Sequence, residues 1–380
     1  MSHTPLLVIG AGPYGLSTAA YAQEHGIETV VVGRPMSFWR EHMPEGMFLR
    51  SGVDWHLDAA GVHTFRAFVE ERAIGEEELD PIPLRTFVDY CDWFCRMKRL
   101  TIREGLVDRL VKADGAFEAT LAVDERILAD AVVGAPGIRH YTQLPGWATS
   151  VPDGLESHTC ELVRFDELAG KRILIVGGRQ SAYEWAALLR DHGAERVDVV
   201  HRHEVPRFDR VSWTFVDAHV ENTTSVHGYW RNLPEAERRR IERQFWQVGR
   251  LTLERWLTPR LDGKGLHRWP RSQVVEASPD SRGQVRIVLS NAERLTVDRV
   301  VFATGYRADL TRVPYLASLV GCIELADGFP VLDESFATTV AGLYLTGFSA
   351  TRDFGPFFGF VKASPAAATL IVRDLLSRSS

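Results

Sequence analysis

The sequence predicts an α/β protein that contains two βαβ units. Residues 6–33 are read as strand, glycine turn, helix and strand, and residues 171–202 repeat that order. The length of 380 residues adds a third observation, because at about 150 residues per domain it predicts two or three domains. Together these observations predict two Rossmann-like domains, each with a parallel sheet.

The composition, 45% hydrophobic and 25% charged, is that of an ordinary globular protein. The formal net charge of −6 argues against broad electrostatic binding to nucleic acid or to anionic membranes. The apolar run at residues 5–9 stops at Gly10, too early for a signal peptide, and no later run approaches about 18 apolar residues. We therefore expect no nucleic-acid partner and no membrane segment.

The cysteines are too few and too far apart for a disulfide framework, a zinc ribbon or a dithiol redox motif. They are Cys91, Cys95, Cys160 and Cys322. The first two are four residues apart on a predicted helix and are expected in the core, so disulfide reduction is not expected. This cysteine usage favours a reducing, cytoplasmic compartment. His201 and His203 share one face of a strand but lack a third ligand, so no metal site is predicted.

The first βαβ unit carries the G-x-G-x-x-G pattern of a dinucleotide site. Gly10 allows the tight turn after the strand, Gly12 lets a pyrophosphate approach the backbone, and Gly15 permits close packing of helix on strand. The helix that follows directs unpaired N–H groups and its positive dipole end at the phosphates. The acid that usually binds the ribose at the end of the second strand is missing. Arg34 stands nearby and is expected against the adenine or a phosphate.

The second βαβ unit has Gly177 and Gly178 between its strand and its helix. Its second strand ends at Arg202, where an acid would bind the ribose of NADH. A guanidinium suits a 2′-phosphate, so NADPH is the expected coenzyme, although Arg202 could also merely solvate the strand end. Two dinucleotide sites in one chain indicate hydride transfer between two cofactors. We expect FAD at the first site and NADPH at the second.

The sequence resembles the NADPH-dependent flavin monooxygenases and N-hydroxylases with two dinucleotide-binding domains. The resemblance rests on GAGPYG at 10–15, GGRQSAYE at 177–184, ATGY at 303–306, GLYLTG at 342–347 and FGPFFGF at 354–360. It implies crossovers between the domains at GAPG (134–137) and ATGY. The expected layout is an FAD-binding domain from residues 1–150 and 301–380, with an NADPH-binding domain (151–300) inserted in it.

The motifs and the resemblance together predict the cofactor contacts. Segment 38–51 is expected to run along the flavin, and a helix at 83–94 to pack on the same domain. The expected FAD contacts are Gly10, Gly12, Pro13, Tyr14, Gly15, Arg34, Trp39, Arg40, Leu49, Arg50, Ser51, Gly347, Gly355 and Pro356. The expected NADPH contacts are Gly177, Gly178, Gln180, Ser181, Arg202 and Gly305.

The sequence also departs from the family pattern. The family's F-x-G-x-x-x-H fingerprint is matched at Gly154 and His158, but Pro152 replaces its first aromatic residue. Phe348 follows Gly347 where the family often has an Asp for the ribityl chain. Pro356 is expected to begin an apolar helix, broken or restarted at Pro365, whose N-terminus faces the flavin and stabilises its anionic reduced form.

Residues 204–270 are a Trp-rich insertion with a predicted helix over 234–257. Ile241, Phe245 and Val248 recur at helical spacing, with charged residues between them. One interpretation is a packed helical insertion, which could form a homodimer surface. The other is a lid or substrate pocket over the flavin.

Three functions are compatible with the sequence, and none assigns a catalytic side chain. In the first, NADPH reduces FAD, and the reduced flavin and O₂ form a C4a-(hydro)peroxide that oxygenates a small organic substrate. In the second, the same cofactors pass electrons to a substrate or partner protein without oxygen transfer. In the third, a nucleotide-sensing protein keeps the fold without turnover. The resemblance favours the first.

Overall fold

The computed structural model describes residues 2–122 and 124–379. The strands are β1 (Ser2–Ile9), β2 (Thr29–Val32), β3 (Ile102–Arg103), β4 (Val107–Ala113), β5 (Ala116–Leu121), β6 (Arg126–Gly134), β7 (Glu156–His158), β8 (Arg172–Val176), β9 (Arg196–Val200), β10 (Arg207–Asp209), β11 (Thr252–Glu254), β12 (Leu266–Trp269), β13 (Val274–Pro279), β14 (Val285–Leu289), β15 (Arg294–Val297), β16 (Arg299–Phe302), β17 (Leu325–Ala326), β18 (Phe329–Pro330) and β19 (Leu343–Leu345).

The α-helices lie between these strands, with the longest at the carboxyl end of the described chain. They are α1 (Pro13–Glu24), α2 (Ser37–Glu41), α3 (Phe65–Glu71), α4 (Leu84–Met97), α5 (Gln180–Asp191), α6 (Asp217–Ser225), α7 (Tyr229–Asn232), α8 (Glu235–Gly249), α9 (Thr258–Leu261), α10 (Thr351–Phe354) and α11 (Ser364–Ser379). None of these helices has the length and apolar composition needed to span a bilayer.

The first sheet runs in the order β3-β2-β1-β6-β5-β4, and β19 pairs with the end of β6. β1, β2, β3, β6 and β19 are parallel, whereas β4 and β5 add an antiparallel hairpin. Leu6, Leu7 and Val8 are fully buried, as expected for a central parallel strand covered on both faces. α1 and α11 pack against each other beside this sheet. The carboxyl ends of β1, β6 and β19 therefore meet at one edge.

The second sheet is parallel throughout, in the order β12-β9-β8-β16-β7. A three-stranded antiparallel meander, β13-β14-β15, packs on it through a separate apolar cluster that includes Leu174, Ile287 and Phe302. All strands of this sheet lie between Glu156 and Phe302. The first sheet takes its strands from both sides of that range, which confirms the predicted α/β fold with one nucleotide-binding unit inside the other. The boundaries at 150 and 300 stay predictions.

The helix predicted over 234–257 is too long. α8 ends at Gly249, and the chain then forms β11, which pairs in parallel with β10. Gly249 is needed there, because a Cβ at this position would lie 2.4 Å from the ring of Trp213. Ile241 and Phe245 are buried, as the periodicity predicted. β11 pairs with a strand more than 40 residues earlier in the chain. Helical periodicity carries no information about such a non-local contact, so it could not predict where the helix ends.

Candidate dinucleotide-binding sites

The first glycine turn has the shape that a pyrophosphate requires. Gly10 has φ +113°, and a Cβ there would lie 2.3 Å from the carbonyl oxygen of Ala135. A Cβ on Gly15 would lie 1.8 Å from the carbonyl oxygen of Gly10, so helix and turn touch directly. A Cβ on Gly12, by contrast, would meet no protein atom within 4 Å. Gly12 caps α1, with Pro13 in the first turn. The backbone is therefore open on the side where a phosphate would bind, and these residues fit FAD.

At the end of β2 the residue Gly33 has no room for an acidic side chain. A Cβ on Gly33 would lie 2.6 Å from the backbone nitrogen of Ala11. The next residue, Arg34, forms a 2.9 Å ion pair with Glu41 of α2. The structure thus places a carboxylate from α2 at this strand end, a residue that the sequence analysis did not single out. The predicted contact of Arg34 with the nucleotide stays a prediction.

Tyr14 ties the start of α1 to the C-terminal segment. Its buried hydroxyl lies 2.6 Å from the carbonyl oxygen of Phe358 and 2.8 Å from that of Phe360 and can donate to either. Its ring covers Gly347, where a Cβ would lie 3.4 Å away. Burial raises the pKa of Tyr14 well above its usual value, so the hydroxyl stays a neutral donor.

The helix expected to start at Pro356 is only one turn of 3₁₀ helix, Pro356–Gly359. The long helix starts later, at Ser364, with Pro365 in its first turn. The carbonyl groups of Phe358 and Phe360 face the hydroxyl of Tyr14, and that of Phe360 also accepts a 3.4 Å bond from the N–H of Ala363 in a second short 3₁₀ turn. A single turn has few aligned peptide dipoles, so Pro356 does not begin the helix expected to stabilise the reduced flavin, whereas the expected restart at Pro365 is found. Gly355 has φ +96°, which permits the sharp turn between α10 and the 3₁₀ turn that begins at Pro356.

Segment 38–51 is held mainly by protein contacts. The ring of Trp39 packs 4.7 Å from that of Phe87 on α4, and Arg40 forms a 2.7 Å ion pair with Asp92 on the same helix. The backbone N–H of Leu49 donates to Ile82 at 2.8 Å. Ser51 is half-buried at the end of the segment. Arg40 therefore pairs with α4, and the contacts of Trp39, Arg40, Leu49 and Ser51 with FAD stay predictions.

Arg50 joins this segment to the insertion. It donates from Nε to a carboxylate oxygen of Glu254 at 3.0 Å, and its two terminal nitrogens donate to the carbonyl groups of Gly249 and Thr252 at 2.7 and 2.9 Å. The guanidinium also lies 5.3 Å from the ring centre of Trp213. Burial lowers the pKa of Arg50, and the charge of Glu254 opposes that shift. Arg50 thus binds the insertion at residues 249–254, and its predicted contact with FAD stays a prediction.

Two buried carboxyl groups stand beside Arg50. Glu184 of α5 is 3% exposed, and burial raises its pKa to about 7. Burial also raises the pKa of Glu254. Gln180, predicted as an NADPH contact, is buried and accepts a 3.1 Å hydrogen bond from the backbone N–H of Glu254. Gln180 therefore faces the insertion. Neither glutamate was predicted as a site residue, because the sequence does not show which partner a single polar side chain among apolar neighbours will meet.

The second glycine turn repeats the geometry of the first. Gly177 has φ +139°, and a Cβ there would lie 2.4 Å from the carbonyl oxygen of Ala303. Gly178 is covered by the ring of His201, which leaves no space for a Cβ. Ser181 and Arg202 are exposed at the start of α5 and after β9. Both are thus accessible to solvent, and their contacts with NADPH stay predictions.

The two crossovers between the sheets bind each other. The N–H of Gln143 donates to the carbonyl of Gly305 at 3.0 Å, and the N–H of Arg307 donates to Tyr141 at 2.8 Å. The same Gly305 oxygen lies 3.2 Å from Nε2 of His158. Gly305 has φ +78°, so glycine suits this turn. The carbonyl of Gly305 is thus engaged by protein groups, and any contact with NADPH would involve its other atoms.

The insertion packs aromatic rings onto the first nucleotide-binding unit. Phe245 of α8 lies 5.4 Å from Phe360, and Trp213 lies 5.5 Å from the same ring. Trp55 lies 5.9 Å from Trp213. The insertion is therefore packed against the C-terminal segment, as the first interpretation of its sequence expects, and its role as a lid or substrate pocket over the flavin stays a prediction.

The cysteines offer no redox pair to a flavin. All four are free; Cys91 and Cys160 are buried and Cys95 is partly buried. Burial raises the pKa of Cys95 to about 12, so it stays a thiol. Within residues 2–122 and 124–379 no group of three or more His, Cys, Asp or Glu side chains is arranged to hold a metal ion.

Residues 4–354 match the family model described as pyridine nucleotide-disulphide oxidoreductase. The chain belongs to this family. As predicted, it is an oxidoreductase that uses FAD and a pyridine nucleotide.

Similar proteins include flavin monooxygenases. The FAD-dependent urate hydroxylase of Xanthomonas campestris pv. campestris is 28% identical over 261 residues, which cover 63% of this chain and 53% of that protein. The matched region thus spans about half the length of that relative. The probable indole-3-pyruvate monooxygenase YUCCA8 of Arabidopsis thaliana is 26% identical over 377 residues, covering 90% of this chain and 84% of that one.

Solved structures confirm the fold. The ornithine N-hydroxylase of Kutzneria sp. 744 has a TM-score of 0.80 at 17% identity and covers 100% of both chains. The ornithine hydroxylase PvdA of Pseudomonas aeruginosa has a TM-score of 0.80 at 18% identity, again over 100% of both chains. At this identity the likeness concerns the architecture of the two nucleotide-binding units.

Proposed function

We propose that this protein is an NADPH-dependent FAD monooxygenase that transfers one oxygen atom of O₂ to a small organic substrate. The observation that carries the proposal is the presence of two glycine turns with matching geometry, at Gly10 and Gly177, in a chain without a redox-active cysteine pair. Two dinucleotides support hydride transfer, and the electrons then need an acceptor other than a disulfide.

Each part of the chain has a role in this proposal. The turn from Gly10 to Gly15 holds the FAD pyrophosphate, and Arg202 binds the 2′-phosphate of NADPH. Bound FAD would accept a hydride from NADPH and deliver the electrons to O₂. The rings of Trp55, Trp213, Phe245 and Phe360 limit the access of water, which favours oxygen transfer over loss of the oxidant to solvent.

The relatives support oxygen transfer. The urate hydroxylase and the indole-3-pyruvate monooxygenase are both named for oxygenation of small organic molecules. For this chain the oxygen would go to nitrogen, sulfur or carbon of a small molecule. The homodimer and the cytoplasmic location expected from the sequence stay predictions, which sedimentation and fractionation would test.

The decisive experiment measures where the oxygen goes. Purified protein with FAD is given NADPH, labelled O₂ and a panel of small amines, sulfides, ketones and aromatic acids. We expect one compound to accelerate NADPH oxidation and to gain one labelled oxygen atom per NADPH consumed. If all O₂ is recovered as hydrogen peroxide with every compound, the monooxygenase proposal is wrong.

A second candidate function is NADPH-dependent transfer of electrons to a partner protein. The ferredoxin–NADP reductase of Salinispora tropica favours it, with 29% identity over 350 residues that cover 91% of this chain and 86% of that protein. Anaerobic reduction of an added ferredoxin by NADPH would support this function. A rate unaffected by ferredoxin would exclude it.

A further inference from the structure

The two glycine turns can be aligned through their hydrogen bonds. The N–H of Gly10 donates to Val32 at 2.8 Å, and the N–H of Gly177 donates to Val200 at 2.9 Å. Both donors lie directly after the first strand of their βαβ unit, and both acceptors end the second strand. Gly177 therefore corresponds to Gly10 in the backbone of the turn.

Under this alignment Arg179 stands where the first turn has Gly12. Each is the residue before its helix, and their backbones agree, with φ −89° and ψ −176° at Gly12 and φ −106° and ψ −170° at Arg179. The Cβ direction at Gly12 is open, which leaves room for a pyrophosphate. The second turn fills the same direction with an arginine side chain. Because this side chain occupies the space that Gly12 leaves open, a pyrophosphate at the second turn would lie farther from the turn backbone than at the first turn, within reach of the Arg179 guanidinium.

Arg179 lies on an aromatic ring of the insertion. Its guanidinium carbon is 3.7 Å from the ring centre of Trp246 on α8, and Trp246 is 43% exposed. Its side chain has no hydrogen bond or ion pair to the protein within residues 2–122 and 124–379. The positive charges of Arg202 and Arg250 both repel the guanidinium of Arg179. Three positive groups thus converge, and none of them has an acidic partner in the described chain.

A phosphate would draw Arg179 away from this ring. A charged hydrogen bond to a phosphate oxygen is stronger than a cation–π contact at a partly exposed ring. A phosphate would also relieve the repulsion from Arg202 and Arg250. Arg179 is the residue directly before α5, so its side chain starts beside the unpaired N–H groups of the first helical turn.

We propose that Arg179 is a movable phosphate clamp, which rests on Trp246 in the absence of nucleotide and turns onto the pyrophosphate of the pyridine nucleotide when it binds. The inference depends on the proposed function, because it assigns the pyridine nucleotide to the second turn. It makes the insertion a sensor of nucleotide binding, since Trp246 loses its partner when the nucleotide enters. It also gives α8 a role in nucleotide binding, which the glycine motif of the second turn does not predict.

The test measures nucleotide binding and not turnover. FAD-loaded protein is titrated with NADP⁺ and with NAD⁺ by calorimetry, and tryptophan fluorescence is followed in parallel. Arg179→Ala is expected to weaken both nucleotides about tenfold, the effect of one charged hydrogen bond. Arg179→Lys keeps the charge without the planar fork and is expected to be intermediate. Arg243→Ala removes an exposed arginine from α8, the helix that carries Trp246, and is the control, expected to change neither affinity.

Trp246→Leu tests the resting position. It removes the partner of Arg179 in the free protein, so both nucleotides should bind about threefold more tightly if the stacking contributes about 0.6 kcal/mol, within the range for exposed cation–π pairs. The fluorescence change that NADP⁺ causes in the wild type should be lost in Trp246→Leu and in Arg179→Ala.

The outcomes separate this inference from the proposed function. If the wild type binds both nucleotides and Arg179→Ala and Arg179→Lys bind them equally well, the clamp is wrong and the proposed function stands. If only NADP⁺ is weakened, Arg179 binds the 2′-phosphate and the pyrophosphate assignment is overturned. If the wild type binds neither nucleotide, the coenzyme site itself is wrong and the clamp falls with it.

Discussion

Arg50 and Glu254 form a 3.0 Å ion pair between residues 204 positions apart in the sequence. The side chains are 18% and 6% exposed, so most of the pair is removed from water. It joins the segment expected along the flavin to the strand that follows α8. The contact couples the first nucleotide-binding unit to the insertion.

Arg50→Ala should destabilise the protein by about 3 kcal/mol, because it leaves Glu254 buried without its partner. Denaturation by urea, monitored by circular dichroism, would measure the free energy of unfolding. Arg40→Ala is the control: it breaks a pair with Asp92 in which both side chains are about 40% exposed, and it should cost about 1 kcal/mol or less. Equal losses of unfolding free energy in the two variants would show that burial does not make the Arg50–Glu254 pair more important than the exposed pair.

Glu184→Gln should change how stability depends on pH. Burial raises the pKa of Glu184 to about 7 from an ordinary value of 4.5. Between these values the folded protein holds a proton that the unfolded chain has released, so the contribution of this group to stability falls as pH rises toward 7 and is constant above it. Glutamine cannot lose a proton, so that part of the slope should disappear.

The measurement is the urea midpoint of wild type and Glu184→Gln from pH 5 to pH 8. The difference between the two proteins should move in favour of the variant as pH rises. A difference that is independent of pH would show that Glu184 is ionised throughout, paired with Arg50.

Gly12→Ala should fold normally and purify with little flavin. A methyl group at this position meets no protein atom within 4 Å, but it points to the expected pyrophosphate position. Gly15→Ala is the contrasting variant, since its methyl group would lie 1.8 Å from the carbonyl oxygen of Gly10 and should destabilise the protein. Flavin absorbance per protein and the melting temperature separate the two effects. Full flavin content in Gly12→Ala would reject this site.

Arg202→Ala should weaken NADPH about tenfold to a hundredfold and leave NADH unchanged, because only NADPH carries the 2′-phosphate. The rate of flavin reduction is measured against the concentration of each coenzyme under anaerobic conditions. Equal weakening of both coenzymes would mean that Arg202 supports the strand end. A wild type that prefers NADH would refute the phosphate assignment directly.

The glycine turns and the long helices were predictable because their causes are local. Gly10, Gly15 and Gly177 are required by contacts within one βαβ unit or with the crossover beside it, and the apolar runs of β1 and β8 are typical of buried parallel strands. The helix at Leu84–Met97 was expected at 83–94 from the family resemblance, and its buried residues Phe87, Tyr90 and Phe94 recur at helical spacing. The sequence pattern that predicts each of these turns, strands and helices lies within about 30 residues of chain.

The partners of individual side chains were decided by the tertiary structure. Gln180 is buried and accepts a hydrogen bond from Glu254 of β11, a partner that the sequence does not indicate, and its contact with a nucleotide stays a prediction. The helix predicted to reach residue 257 ends at Gly249 because β11 pairs with β10. These contacts join parts of the chain 40 to 75 residues apart, and periodicity carries no information about them.

The sequence by itself determined that this chain has two dinucleotide turns, an oxidoreductase fold and no redox cysteine pair. Only the tertiary structure decided that Arg50 contacts Glu254, that Tyr14 engages the C-terminal segment in place of a long helix at Pro356, and that Arg179 lies on Trp246. The physical reason is the distance along the chain over which each effect acts. Steric limits on backbone and apolar periodicity act between near neighbours, whereas a buried polar side chain takes its partner from whichever distant segment the fold brings to it.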